Sequence, residues 1–241
     1  MRVAVITDIH GNRRALEAVL ADLTQVAPDM VVHGGDLVFG GTHPAEVIDE
    51  VRALGWPGVL GNTDEVLWTQ ERLTEMAAAH SKLAPLLGRL REMIAPMQAR
   101  IGDERLRWLK MLPAVQAGKG FAVLHASPKD LWRAPMANAT DEEIDKTYAQ
   151  LDAPIVIYGH IHVSYVRRLP GMTVANAGSV SQSYDGDPRG LCGDRRGERD
   201  HSTRGVRRGE RSEGTVAFRP AARGLAEPDS AGRKILPAGV I

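Results

Sequence analysis

The stretch Arg2-Val-Ala-Val-Ile-Thr-Asp-Ile-His-Gly-Asn12 sets the reading of the whole chain. Arg2 to Thr7 is a short apolar run stopped by a polar turn, the pattern of a strand buried in a parallel sheet. Asn12 can cap the segment that follows, where Leu16, Val19, Leu20 and Leu23 recur at helical spacing. Asp29 to His33 reads as a second strand, Pro44 to Leu54 as a second helix and Pro57 to Leu60 as a short third strand. This βαβαβ alternation predicts an α/β fold with right-handed crossovers.

Residues 64–112 read as entirely helical. Leu83, Leu86, Leu87, Leu90, Ile94 and Met97 form one apolar stripe, punctuated by Pro85 and Pro96, and packing is the expected use of that stripe. Phe121 to His125 and Ile155 to Tyr158 read as further strands, with an acidic helix near Asp141 to Leu151 between them. Ser164 to Leu169 and Met172 to Asn176 predict a hairpin turning at Pro170-Gly171.

The bulk composition narrows the class of protein. Hydrophobic content of 43% is ample for a core, 25% charged residues is ordinary for a soluble chain, and the net charge is zero. No charge excess advertises a nucleic-acid partner or an anionic membrane. Cys192 is the only cysteine, which excludes an intrachain disulfide and thiolate metal clusters. With no leader-like start and no apolar run near the ~20 residues of a membrane span, the expectation is a cytoplasmic location.

The polar residues at the strand ends carry the chemistry. In order they are Asp8 and His10, then Gly35-Asp36, then Gly61-Asn62-Thr63-Asp64, then His125, then His160 and His162 in Gly-His-Ile-His. Each cluster alone is weak: Asp8 reads equally as a turn residue, Asp36 as an ordinary turn aspartate, His125 as a hydrogen-bonded core histidine. Taken in order, just beyond successive strands, they describe one site, because α/β sheets place their sites outside the carboxyl ends of the strands. Carboxylate, carboxamide and neutral imidazole ligands suit divalent transition metals, and the set is about what two adjacent cations need. His33, His43 and His80 fit no ligand cluster and read as structural or exposed.

From Arg2 to about Arg189 the chain resembles the calcineurin-like metallophosphoesterases, particularly the compact prokaryotic group with Gly-Asn-x-Asp as third motif. Asn176-Ala-Gly-Ser-Val180 and Asp185-Gly-Asp-Pro-Arg189 resemble the closing loop of that family. The resemblance implies a four-layer α/β/β/α sandwich with a helical insertion at about 64–112. It implies that Asp8, His10, Asp36 and His162 hold one metal, while Asp36 as bridge, Asn62, His125 and His160 hold the other. Asp36, Asn62 and His125 would then carry the catalytic centre, and Asn12 and Arg13 would contact substrate phosphate. Two such cations lower the pKa of a shared water, so that hydroxide attacks at neutral pH. Mn, Fe, Ni, Co or Zn all suit these ligands, and manganese is favoured.

The implied activity is hydrolysis of a small phosphodiester or nucleotide-type substrate. A catalytically silent metal-binding scaffold of the same fold and a protein serine/threonine phosphatase stand as alternatives. One position departs from the family pattern. Many relatives carry histidine after Gly-Asn to protonate the leaving group, and here the residue is Thr63, which cannot act as an acid at neutral pH; acidic leaving groups are the expectation. Asp64 reads either as a second-layer orienting group or as a helix cap.

The chain also departs from the family after Gly190. Residues 191–241 hold eleven Lys or Arg, seven Asp or Glu, eight Gly and one aromatic, Phe218, without a period of 2 or 3.6, the composition of a disordered tail. Codons read one base later, with permissive third bases, give two alternating strands joined by Asp-Gly. A frameshift that replaced the family C-terminus is therefore one expectation, with an exposed sheet edge as its consequence. A natural basic tail is the other. The organisation expected is thus a metallophosphoesterase domain over 1–190 and an aberrant tail over 191–241.

Overall fold

The computed structural model describes residues 1–184 together with the backbone of 219–220 and 239–240. Strand β1 (Val3–Ile6) pairs in parallel with β2 (Met30–His33), Val3 opposite Met30 and Ile6 opposite His33. Helix α1 (Arg13–Val26) links them, and α2 (Pro44–Ala53) follows β2. After α3 (Asn62–Glu65) and α4 (Glu71–Ala79) comes the long α5 (Ala84–Lys110).

A second sheet has the order β3 (Val115–Gly118), β4 (Phe121–Leu124), β5 (Ile155–Tyr158), β7 (Met172–Asn176), β6 (Tyr165–Leu169). Within it β4 and β5 are parallel, and α6 (Asp141–Tyr148) crosses between them. The predicted hairpin is β6–β7.

Alternation along the strands builds the layers. Val3, Val5 and Val32 of the first sheet meet Phe121, Val123 and Ile157 of the second in one buried cluster, so the sheets pack face to face. Ala4 and Ile6 face the other way, against Leu16, Val19, Val47, Ile48 and Val51 of α1 and α2. On the far side Leu124, Val156, Tyr158 and Val174 cover Ile144 and Tyr148 of α6. The result is the α/β/β/α sandwich expected.

Several local expectations are corrected. Residues 57–60 form no strand; a single parallel bridge joins Gly58 to His33. His33 N–H donates to the Pro57 carbonyl and Val59 N–H to the His33 carbonyl, but Leu60 N–H turns to the Pro113 carbonyl, so pairing with β2 stops there. Residues 64–112 are not one helical run: α3, α4 and α5 are separated, and α5 is broken at Gly102, whose φ is 74°. The apolar stripe is also narrower than predicted. Leu87, Ile94 and Met97 are buried and Leu90 packs beside them, but Leu86 is 55% exposed. Leu86 lies about 100° round the helix from Leu87, off the buried face. Leu83, at 38% exposure, belongs to a 3₁₀ turn ahead of α5. Strand β3, not anticipated, pairs antiparallel with β4.

Beyond residue 184 the described backbone is two short strands, β8 (Arg219–Pro220) and β9 (Gly239–Val240). Val240 pairs antiparallel with Ala4, so β1 has a neighbour on the edge expected to be bare. The remaining expectations for 185–241, including the closing loop at Asp185 to Arg189, lie outside the described residues.

His33 ends β2 fully buried, and among the described residues neither ring nitrogen has a hydrogen-bond partner. Burial lowers its pKa from 6.5 to about 4. The unfolded chain therefore binds a proton that the folded chain excludes between those two values, and stability falls as pH drops from 6.5 towards 4. The full loss is about 3 kcal/mol, of which about 2 is reached at pH 5. His33→Leu should lose about 2 kcal/mol less stability than the parent between pH 7 and pH 5, measured by urea unfolding. Parallel losses in the two proteins would refute this role for His33.

Candidate metal centre

The site forms where two parallel strand pairs, one from each sheet, end side by side. Asp8 and His10 follow β1, Asp36 follows β2, His125 follows β4 and His160 and His162 follow β5, while Asn62 opens α3. The structure brings all seven of these side chains together. All except His160 are at least 94% buried, and Asp8 and His125 show no exposure.

Backbone conformation aims them. Asp8, His10, Asp36, His160 and His162 all have left-handed φ values between 51° and 67°. A non-glycine residue in this region costs on the order of 1–3 kcal/mol, and here the turns are locked by the surroundings. His10 N–H donates to the Asp36 carbonyl at 2.9 Å and Asp8 N–H to the Gly35 carbonyl at 3.1 Å. Loop 176–180 braces the other side: Ser179 Oγ donates to the Asp8 carbonyl at 3.0 Å, and Val180 N–H to the Thr7 carbonyl at 3.0 Å. Glycines permit the close approaches. A Cβ on Gly159 would lie 2.5 Å from Asp8 Oδ2, and one on Gly61 would lie 2.1 Å from Asp36 Oδ1.

Each histidine is oriented by a backbone carbonyl. His10 Nδ1 is 2.7 Å from Phe39 O, His125 Nδ1 2.9 Å from Gly34 O, His162 Nδ1 2.8 Å from Gln182 O, and His160 Nε2 3.2 Å from Trp132 O. A carbonyl only accepts, so the proton of each neutral ring sits on that outward nitrogen. The inward nitrogens therefore carry lone pairs that face one another and the carboxylates. His10 Nε2 and His162 Nε2 are 3.3 Å apart, and His162 Nε2 is 2.9 Å from Asp8 Oδ1. Asn62 Oδ1 lies 2.8 Å from His125 Nε2 and 3.0 Å from His160 Nδ1. Asp36 Oδ2 stands between the halves, 3.8 Å from His10 Nε2 and 3.5 Å from His125 Nε2. So many converging lone pairs, buried, make a set that could hold a cation. Two groups meet the geometry for a metal ion, Asp8 with His10 and His162, and Asp8 with Asp36 and His125.

Before a cation binds, a proton on an inward nitrogen answers the same concentration of acceptors. Burial opposes charge on His10, yet bonding to Asp8 and the charge of Asp36 raise its pKa to about 9. Asp8 is held well below the usual carboxylate range by His10 and His162, against the effect of burial. His160 is lowered to about 4 by burial and by the neighbouring His125.

The other predicted residues are placed as follows. Asn12 spends its side-chain oxygen on the N–H of Ala15 at 3.1 Å, capping α1 as expected. Arg13 pairs with Glu17 at 2.8 Å on the exposed face of that helix. Asp64 is fully buried and accepts from the N–H groups of Leu37 and Val38 at 3.0 and 3.2 Å, so it grips the turn that carries Asp36. Thr63 N–H donates to Asp36 Oδ1 at 2.9 Å, while its hydroxyl is buried without a partner among the described residues. His43 and His80 are exposed. Thr7, whose hydroxyl donates to Asp8 Oδ2 at 2.6 Å, and the orienting carbonyls went unrecognised in the sequence. Every residue has a carbonyl, so sequence carries no signal for the latter.

A two-sheet sandwich gathering carboxylates and imidazoles at its strand ends defines the metallophosphoesterases. The calcineurin-like phosphoesterase superfamily domain matches residues 1–193, and the chain belongs to that superfamily of phosphoester hydrolases. It is 28% identical over 189 residues to an uncharacterised protein of Methanocaldococcus jannaschii, covering 76% of this chain and 71% of that one. It is 29% identical over 180 residues to a symmetrical bis(5'-nucleosyl)-tetraphosphatase of Sodalis glossinidius, covering 71% of this chain and 60% of that protein. A metallophosphoesterase crystal structure from Sphaerobacter thermophilus superimposes with a TM-score of 0.61 at 27% identity, covering 78% of this chain and 80% of that one. No helix among the described residues is long and apolar enough to cross a membrane.

Proposed function

We propose that this protein hydrolyses phosphoester bonds in nucleotide-type substrates at a two-metal centre. Asp8, His10, Asp36 and His162 would hold one cation, and Asp36, Asn62, His125 and His160 the other. The observation that carries the reading is Asp36 Oδ2 facing His10 Nε2 on one side and His125 Nε2 on the other. A pair of divalent cations, manganese favoured, supplies neutralisation of the phosphoryl oxygens and a water of lowered pKa.

The chain's own groups do the rest. The orienting carbonyls fix which nitrogen carries the proton of a neutral imidazole, so that its lone pair faces inward, and the strained turns hold the ligands ready, so that little reorganisation accompanies the reaction. Asn12 and Arg13, at the mouth of α1, are proposed to meet substrate phosphate, Arg13 by exchanging Glu17 for it. Thr63 offers a hydroxyl for hydrogen bonding but no acid. A leaving group that departs as a stable anion needs no proton, and one half of a nucleoside polyphosphate meets that condition. The tetraphosphatase relative points to the same class, although the chain spans only 60% of its length.

The test is turnover by metal-stripped protein with and without added manganese, on a dinucleoside tetraphosphate, an aryl phosphodiester and an alkyl phosphodiester. Manganese-dependent hydrolysis, with the first two substrates faster than the alkyl ester by about 100-fold or more, is the expected result; general-acid help is typically worth that much where present. Equal rates on alkyl and aryl esters would remove the leaving-group argument. Folded, metal-loaded protein without turnover would favour the scaffold alternative.

A further inference from the structure

A cleft of about 170 Å³ opens beside the metal centre, between α4 and the segment after β4. Arg72, Glu75, Met76 and Ala79 share one face of α4 and, with His80 just past its end, line one wall. Trp132 and Arg133 line the other. Two contacts tie this cleft to the site. The Trp132 carbonyl orients His160 at 3.2 Å, and the Trp132 indole N–H donates to Glu65 of α3 at 3.1 Å, in the same short helix that begins with Asn62. The indole is thus held by the element that carries a metal ligand.

Its chemistry is an apolar wall with a mixed rim, in which the Glu75 carboxylate is paired with Arg72 and Arg133 is left, among the described residues, as the unpaired cation. Met76, Ala79 and the Trp132 ring offer apolar surface, and a cavity of roughly 150 Å³ is enough to take one aromatic ring. The terminal nitrogens of Arg72 are spent on Glu75 at 3.0 Å and Asp130 at 3.4 Å, but its Nε is buried without a partner. Arg133 is exposed and, among the described residues, forms no ion pair or hydrogen bond. A heterocycle joined to an anionic group satisfies both features, because stacking on indole suits the first and a guanidinium binds phosphate oxygens in the second.

We propose that this cleft is the subsite for the nucleoside-phosphate half of the substrate, with Trp132 and Met76 against the base and Arg133 on a phosphate. The assignment rests on the nucleotide reading above and adds the residues that would select for it. It explains why the chain builds α4 and the Trp132–Arg133 segment against each other next to His160.

The experiment uses the full chain in two arms. In the kinetic arm, manganese-loaded parent and Arg133→Ala are compared on a dinucleoside tetraphosphate and on bis(p-nitrophenyl) phosphate, which lacks the nucleoside. The expected result is a rise in KM for the nucleotide of roughly tenfold or more, at least tenfold larger than any change with the small ester. In the binding arm, AMP or inorganic phosphate is titrated calorimetrically into each protein in excess chelator, so that metal-site chemistry is silent. The parent should bind AMP, Arg133→Ala should bind it at least tenfold more weakly, and phosphate alone should bind more weakly than AMP. If the enzyme cleaves only the small ester, the substrate reading fails, and the binding arm still decides the cleft. No AMP binding, AMP binding untouched by Arg133→Ala, or phosphate binding as tightly as AMP would each overturn the proposal.

Discussion

Gly61→Ala should cost this enzyme roughly 100-fold or more in kcat/KM, the scale of effect expected when a catalytic group is displaced by about 1 Å. The backbone at Gly61 is extended, with φ near −102°, so alanine meets no conformational barrier there. The obstacle is space alone. The new methyl would sit 2.1 Å from Asp36 Oδ1 and 2.2 Å from the Asp36 nitrogen. Asp36 cannot retreat easily, because its carbonyl accepts from His10 N–H and its Oδ1 accepts from Thr63 N–H. The Asp36 carboxylate therefore moves, and on the proposed two-metal reading bound metal is lost with it, while overpacking destabilises the fold by only about 1–3 kcal/mol. Turnover and metal content measured together check this, with Gly88→Ala as control, since nothing lies within 4 Å of a methyl at that position. Activity within threefold of the parent would show that Asp36 does not need this position.

Asp64→Ala should destabilise the protein by about 2–6 kcal/mol and lower turnover as well. The carboxylate is the acceptor for the N–H groups of Leu37 and Val38, both in the buried turn that follows Asp36. Its removal leaves two buried donors unpaired, at about 1–3 kcal/mol each. Asp64→Asn is the informative companion. Burial, reinforced by the charge of Asp36, pushes the Asp64 carboxyl up to about 7, so near neutral pH it already spends much of its time uncharged. A neutral amide keeps one acceptor oxygen and should recover more than half of the lost stability in chemical unfolding. If both variants lose equally, the negative charge rather than the hydrogen bonds holds the turn.

Much of the fold was legible because it is written in local periodicity. The four-residue apolar runs at Val3–Ile6, Phe121–Leu124 and Ile155–Tyr158 became strands, and the acidic stretch before Tyr148 became the helix that covers the last two. The errors arose where local pattern and tertiary context disagree. Residues 57–60 look like a strand, yet they only touch β2 at one bridge. Leu86 looks like core and faces solvent, because α5 presents a single face to the sandwich. Strand β3 carries no apolar alternation strong enough to announce it, and it exists because β4 offers an edge to pair with.

The candidate ligand residues were legible for a different reason. Carboxylates and imidazoles at the ends of buried strands are conspicuous against an apolar background, and their order along the chain followed the order of the strands. Residue type alone could not tell Asp36, whose Oδ2 faces both halves of the cluster, from Asp64, whose oxygens are spent on two backbone donors. His33, by contrast, was set apart in the sequence because it fits no ligand cluster, and in the fold it is buried without a partner among the described residues while carbonyls aim the four site imidazoles.

By itself the sequence determined the α/β class, the strands that end at the site and the chemical character of its ligands, since these depend on side-chain type and short-range spacing. Only the tertiary structure decided that the two sheets stack, which lone pairs converge, and that Trp132 and Arg133 stand across a cleft from α4. Those relations join residues as far apart as Asp8 and His162, whose side chains meet at 2.9 Å. They follow from how complementary apolar faces pack around one core, a condition no local run of residues contains.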